Sequence, residues 1–264
     1  MATALVFAFV ITVLVVVHEL GHYLMARKFR VPVEVFSVGF GPKLLAVRRG
    51  ETEYRLSAIP FGGYVKMAGG FEHTGETTPD GFASKTPLQR FLILLGGPAM
   101  NVAFALALAI VGLWVGIEVP TQNGTILYRP GFVDSFLIGG RAVSDSSAAI
   151  ILTIAGLFTG DISLSALIGP VGLAQVTGQS AELGWRSVLA ATAFISLNLG
   201  LCNLIPLPIL DGGHMLMVLA EGITRRRLPY RVRKTMLRAG AFALLLLLVT
   251  TFYNDLGRLG LFTL

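Results

Sequence analysis

Long apolar runs separated by shorter polar stretches dominate the chain. A helix needs about 20 residues to cross a bilayer, and four segments are long and apolar enough to qualify: residues 3–26, 91–117, 188–210 and 239–253. A fifth run, 148–158, is too short and is followed by Thr159-Gly160-Asp161, so an interfacial helix is expected there. After the first run the period changes. Leu44 to Val47 and Tyr54 to Ile59 read as two strands around a polar turn, followed by the glycine-rich, aromatic stretch Pro60 to Met67. Residues 36–68 are therefore expected to form a β/re-entrant region, either plain structure or an edge for an extended peptide. Residues 69–85 read as a polar loop in which His73 stands without a partner at metal-ligand spacing. The pattern predicts an all-α polytopic membrane protein with about four transmembrane helices and a small β element after the first, forming one membrane-embedded domain over 1–264.

Composition agrees. The chain is 54% hydrophobic and 14% charged, against about 25% charged in ordinary globular domains. The single cysteine, Cys202, excludes an internal disulfide and a cysteine-based zinc site. A net charge of +6 would suit nucleic acid in a soluble protein, but its distribution points to membrane orientation, and no nucleic-acid partner is expected. No Lys or Arg precedes the first run, ten fall in 27–90, three in 118–187 and seven in 225–238. The positive-inside rule then places the first and third connections in the cytoplasm and both termini outside. The N-terminal run lacks a basic leader, and cleavage after it would fall in or beside the motif described next, so it reads as a retained span.

That motif is His18-Glu19-Leu20-Gly21-His22. On a helix His18 and His22 lie one turn apart on the same face and can converge on one metal ion, with Glu19 beside them as general base. Three ionisable groups within five positions of an otherwise apolar run are costly in a membrane and mark function. A catalytic zinc takes a third protein ligand. Outside the first run, the acidic or imidazole groups in apolar surroundings near a span end are Asp211 and His214, in Asn203-Leu204-Ile205-Pro206-Leu207-Pro208-Ile209-Leu210-Asp211-Gly212-Gly213-His214. The prolines break the helix and the glycines allow a tight turn. The first and third spans reach the cytoplasmic side just after their motifs, so His22 and Asp211 share a depth. Asp211 is the better third ligand, and His214 a supporting group. Asn203 can satisfy freed backbone groups or bond a substrate backbone. A metal transporter using His18, His22 and Asp211 is the rival reading, but the halves show no convincing repeat and a transit site has no need of Glu19.

These residues, together with Phe36-Ser37-Val38-Gly39-Phe40-Gly41-Pro42, Ile59 to Met67, Gly96-Gly97-Pro98-Ala99-Met100-Asn101, Gly169-Pro170-Val171-Gly172 and Ser196-Leu197-Asn198-Leu199-Gly200, resemble the site-2 protease family of intramembrane zinc metalloproteases, in its bacterial regulator-of-sigma-E branch. The resemblance implies Zn2+ held by His18, His22 and Asp211, with Glu19 as catalytic base. It implies substrate held as a strand by the region containing Tyr54, Leu56, Ile59, Gly62, Gly63 and Tyr64, helped by Asn203, with Asn198, Pro206 and His214 as supporting positions. It further implies transmembrane protein substrates in a bacterial cytoplasmic membrane, cut near its cytoplasmic face. Members of that branch carry one or two PDZ domains between the second and third spans. Here residues 118–147 are too few for such a core, and a short extracytoplasmic segment is expected instead.

Overall fold

In the computed structural model, which describes residues 2–70, 79–121 and 124–261, the first apolar run is the helix α1 (Ala2–Lys28). His73 lies outside the described residues. Arg27 and Lys28 in the last turn complement the exposed carbonyls there. Arg30 adopts φ 55°, so the Val31 N–H reaches the Ala26 carbonyl at 2.8 Å and stops the helix, with Val31 buried behind it.

The expected strands are parts of longer ones. β1 (Val33–Arg49) and β2 (Thr52–Met67) pair antiparallel around Gly50-Glu51. Positive φ at Gly39, Gly41 and Gly62 bends the two strands, so the inner stretch Val35–Val38 has Glu53–Leu56 on one side and Gly63–Lys66 on the other. Residues 63–67 therefore form an edge of this small sheet. The hairpin lies along α1: the Tyr23 and Tyr54 hydroxyls are 2.6 Å apart, and the Thr12 hydroxyl donates to the Pro60 carbonyl. Thr12 is deep in the apolar run, so its hydroxyl gives the Pro60 carbonyl a partner that lipid could not supply.

The described residues divide into two compact units, Ile11–Asn101 with Cys202–Leu247, and Met1–Val10 with Val102–Leu201 and Leu248–Leu264. The first holds the hairpin, much of α1, and the start of α2 (Pro87–Val115). It also holds α6 (Asp211–Thr224) and the start of α7 (Tyr230–Arg258). Its core contains Ala26, Val31, Val33, Phe82, Ile93, Leu94, Met215 and Val218. α1 and α2 touch backbone to backbone, since a Cβ on Gly96 would lie 2.6 Å from the Gly21 carbonyl oxygen. Buried Glu221 ties three segments together: its carboxylate accepts from Arg90 at 2.6 Å, Arg233 at 2.8 Å and the Leu228 N–H at 3.0 Å. Burial alone would raise its pKa, but the Leu228 N–H and the two guanidinium groups hold the carboxyl below the ordinary carboxylate range.

The second unit contains the hairpin of β3 (Ile117–Thr121) and β4 (Gly124–Tyr128), then α3 (Phe132–Thr159), α4 (Pro170–Glu182) and α5 (Trp185–Cys202). The interfacial helix expected over 148–158 is only the end of α3, which starts at Phe132. Asp134, Arg141 and Asp145 interrupt the apolar run without interrupting the helix. Five described helices, α1, α2, α3, α5 and α7, are long and apolar enough to cross a membrane, where the sequence pattern suggested four. Ala105, Ile150 and Leu197 join α2, α3 and α5. Buried Asp255 of α7 accepts from the Gly169 and Gly172 N–H groups at 3.0 and 2.9 Å, filling the N-terminus of α4. The third expected span also differs: α5 stops at Cys202, and Asn203–Leu210 is not helical.

Candidate metal centre

In α1 the one-turn spacing brings the two imidazoles together, and Asp211, at the first turn of α6, faces them. Pro206 and Pro208 cannot continue α5, and the chain folds back so that the Gly212 N–H donates to the Asn203 carbonyl at 2.7 Å. A Cβ on Gly212 would lie 2.5 Å from the Ile205 carbonyl oxygen, and one on Gly213 the same distance from Pro208 Cα. The glycine pair is what allows this tight return to deliver Asp211.

The donor set suits zinc. His18 Nε2 lies 2.9 Å from Asp211 Oδ2 and 3.2 Å from His22 Nε2, and His22 Nε2 lies 3.4 Å from the same carboxylate oxygen. Tetrahedral ligands about 2.0–2.1 Å from a zinc ion are roughly 3.3 Å apart, so these atoms form one face of such a site. Nitrogen and oxygen donors with no cysteine fit a catalytic centre that keeps a position open. The opposite ring nitrogens are engaged. His22 Nδ1 donates to the Ile93 carbonyl at 2.9 Å, leaving Nε2 as the lone-pair donor. His18 Nδ1 lies 3.3 Å from the side-chain amide of fully buried Asn101. With its oxygen turned to accept from Nδ1–H, that amide likewise frees Nε2 for a metal.

Space for the ligands comes from α2. A Cβ on Gly97 would collide with His22 Nε2 and lie 2.7 Å from His18 Nε2. Gly97 and Asn101 are four residues apart, hence on one face of α2. Glu19 turns toward the hairpin, and the Val65 N–H donates to its Oε2 at 3.0 Å. Val65 belongs to the 63–67 edge, so the edge and the acid–base candidate meet. A cavity of about 850 Å³ opens here, lined by His18, Glu19, His22, Asp211, Tyr64 to Met67, Asn203 and His214 among others.

Among the sequence candidates for substrate contact, Tyr64 and Asn203 line this cavity. Gly62 and Gly63 form the adjoining bend, and Ile59 is half exposed near it. Tyr54 and Leu56 stand in the inner part of the sheet, where Tyr54 packs with Tyr23 and Phe36. Among the supporting candidates, His214 lines the cavity with Nδ1 donating to the Leu210 carbonyl at 3.0 Å. Pro206 is exposed in the turn, and Asn198 lies in the other unit, its amide donating to the Phe194 carbonyl within α5. Gly97 and Asn101 stand in the Gly96–Asn101 stretch that carries the resemblance but had no role assigned, and the Ile93 carbonyl and the Val65 N–H were not singled out. The i,i+4 pair Gly97 and Asn101 was a readable signal; the backbone groups were not.

The model of peptidase family M50 matches residues 6–247. A protein of Campylobacter jejuni named as a zinc metalloprotease is 29% identical across 98% of this chain and 93% of its own length. One from Clostridium acetobutylicum is 30% identical across 81% and 86%, and one from Helicobacter pylori 29% across 93% and 97%. The Campylobacter alignment runs to 350 positions against the 264 residues here, so that relative carries additional residues.

Proposed function

The chain belongs to peptidase family M50, the site-2 proteases, and we propose that it hydrolyses peptide bonds within or near transmembrane segments of single-pass membrane proteins. The family is one of zinc metalloproteases, and zinc is its cofactor. The observation that carries the finer reading is the convergence of His18, His22 and Asp211 at metal-ligand distances, with Glu19 between them and a sheet edge.

In this reading His18, His22 and Asp211 hold the zinc, which when bound supplies Lewis acidity toward the scissile carbonyl and toward water. Glu19 takes a proton from the attacking water and later delivers it to the leaving amine. The Val65 N–H fixes one Glu19 oxygen and leaves the other for that proton. A substrate helix must unwind to expose its backbone, and pairing with the 63–67 edge replaces hydrogen bonds lost in unwinding. Asn203 and Tyr64, both in the cavity wall, orient that strand. Anti-sigma factors already trimmed outside, or remnant signal peptides, are the substrate class that the reading favours.

We place the enzyme in a bacterial cytoplasmic membrane, with both termini outside and the site near the cytoplasmic face. The second unit supports four net crossings. After α3, the Leu164 and Ser165 carbonyls accept from Asn254 and Arg258 at the end of α7, and a Cβ on Gly178 would meet Thr3 at the start of α1. In this reading the chain leaves α3 on the side where α7 ends and α1 begins, so α3 adds no net crossing. The test is cleavage of a single-span reporter by purified protein: wild type cuts it in a zinc-dependent way, Glu19→Gln keeps zinc and does not cut. Undiminished cleavage by Glu19→Gln would sink the assignment.

A further inference from the structure

We infer that the first two turns of α7 form a binding site for anionic phospholipid headgroups. The inference rests on α7 being a membrane span, not on the proteolytic reading. Arg231, Lys234 and Arg238 are spaced three and four residues apart, so they stand on one face of the helix. All three are exposed, and among the described residues they meet no carboxylate. The same face continues into Phe242 and Leu245, which are 70% and 57% exposed. The opposite face is occupied: Arg233 bonds Glu221 at 2.8 Å, and a Cβ on Gly240 would lie 3.0 Å from Ile209 N.

One outward stripe therefore passes from cationic to apolar along the helix axis. The cationic part rises about 10 Å, comparable with the polar zone of a single leaflet at about 5–8 Å. A lipid with an anionic headgroup and acyl chains matches both halves of the stripe; a soluble anion matches only the first. The helix itself argues for an anion. Its first turn carries no acidic residue, and cations at a helix N-terminus oppose the helix dipole. Exposed Arg225 and Arg226 in the preceding turn add to the same local field. Arg233 and Gly240 hold the inner face against Glu221 and the Pro208-Ile209 turn, which leaves the cationic stripe facing outward.

The experiment titrates the purified full-length protein in detergent with phosphatidylglycerol or phosphatidylcholine and counts bound lipid by native mass spectrometry, with zinc content as the check on folding. Wild type retains phosphatidylglycerol in preference. Each cation near an anionic surface is worth about fivefold, so Arg231→Gln alone weakens that preference about fivefold and Arg231→Gln/Lys234→Gln/Arg238→Gln by on the order of a hundredfold. Arg231→Lys/Arg238→Lys keeps it. Arg48→Gln/Arg49→Gln/Lys85→Gln, which removes the same charge elsewhere, also keeps it. Unchanged binding by the α7 variants, or equal loss in the Arg48/Arg49/Lys85 variant, overturns the site. Displacement of the lipid by millimolar inorganic phosphate overturns the lipid assignment in favour of a free anion.

Discussion

Gly97→Ala separates the needs of the metal centre from those of the helix. In an ordinary helix interior the change stabilises by about 1 kcal/mol, because alanine loses less backbone entropy. Here the added methyl would lie 2.7 Å from His18 Nε2 and from His22 Cε1, and ordinary contact begins near 3.4 Å. One or both rings must retreat by at least about 0.7 Å, several times the ±0.2 Å tolerance of a metal–ligand bond. Zinc affinity should fall by at least the roughly 10–100-fold that loss of a supporting residue costs, while overpacking takes back about 1–3 kcal/mol of stability. The assay is zinc stoichiometry and chelator competition on purified protein, with thermal unfolding alongside. Gly140→Ala in α3 is the control: its methyl meets nothing within 4 Å, so it should gain about 1 kcal/mol and keep wild-type zinc affinity. Wild-type zinc affinity in Gly97→Ala would refute the placement of the ligand atoms against α2.

Other predictions concern the ligands, the frame and the hairpin. Asp211→Asn exchanges a charged oxygen donor for a neutral one, so both zinc retention and cleavage should fall; full zinc retention with normal cleavage would remove Asp211 from the ligand set. Glu221→Gln breaks a buried pair and should cost about 3–5 kcal/mol, measured by thermal unfolding. Because the folded-state pKa of Glu221 is lowered, its stabilisation is fully present above the ordinary carboxylate range and is lost as pH falls through the folded value. Wild type should therefore lose more stability than Glu221→Gln between pH 6 and the acid limit, and parallel curves would refute this. Tyr23→Phe leaves the Tyr54 hydroxyl without its 2.6 Å partner; the hairpin should exchange its amide hydrogens faster near Tyr54, with little change in zinc content. Val65→Pro removes the donor to Glu19 at an edge position that tolerates proline, and should lower kcat with zinc retained, whereas Val65→Ala should not.

The helical frame and the two candidate histidine ligands were legible in the sequence because each depends on a short-range regularity. Long apolar runs announce spans, and the spacing of His18 and His22 announces a shared face. Asp211 stood out as an acidic group in apolar surroundings near a span end, and the loop cations placed that span end at the depth of His22. What was hidden depends on three-dimensional return. The full length of α3 was masked because Asp134, Arg141 and Asp145 lower hydropathy without breaking a helix. The doubled pairing of Val35–Val38 arises from bends at Gly39, Gly41 and Gly62, and no strand-length pattern reveals which row becomes the edge. For that reason Tyr54 and Tyr64 looked alike in the sequence, yet one packs inside the sheet and the other lines the cavity. The Val65 N–H and the Ile93 carbonyl are backbone groups, which residue identity does not mark.

The most direct test of the account is to map the bond cut in a single-span substrate co-reconstituted with the enzyme in vesicles, comparing wild type with Glu19→Gln, before and after chelation. The account predicts one cut within or beside the hydrophobic segment by wild type, lost on chelation, restored by added zinc, and absent in Glu19→Gln although that variant retains the metal. Cleavage that survives in Glu19→Gln, or that persists in fully chelated protein, would contradict it.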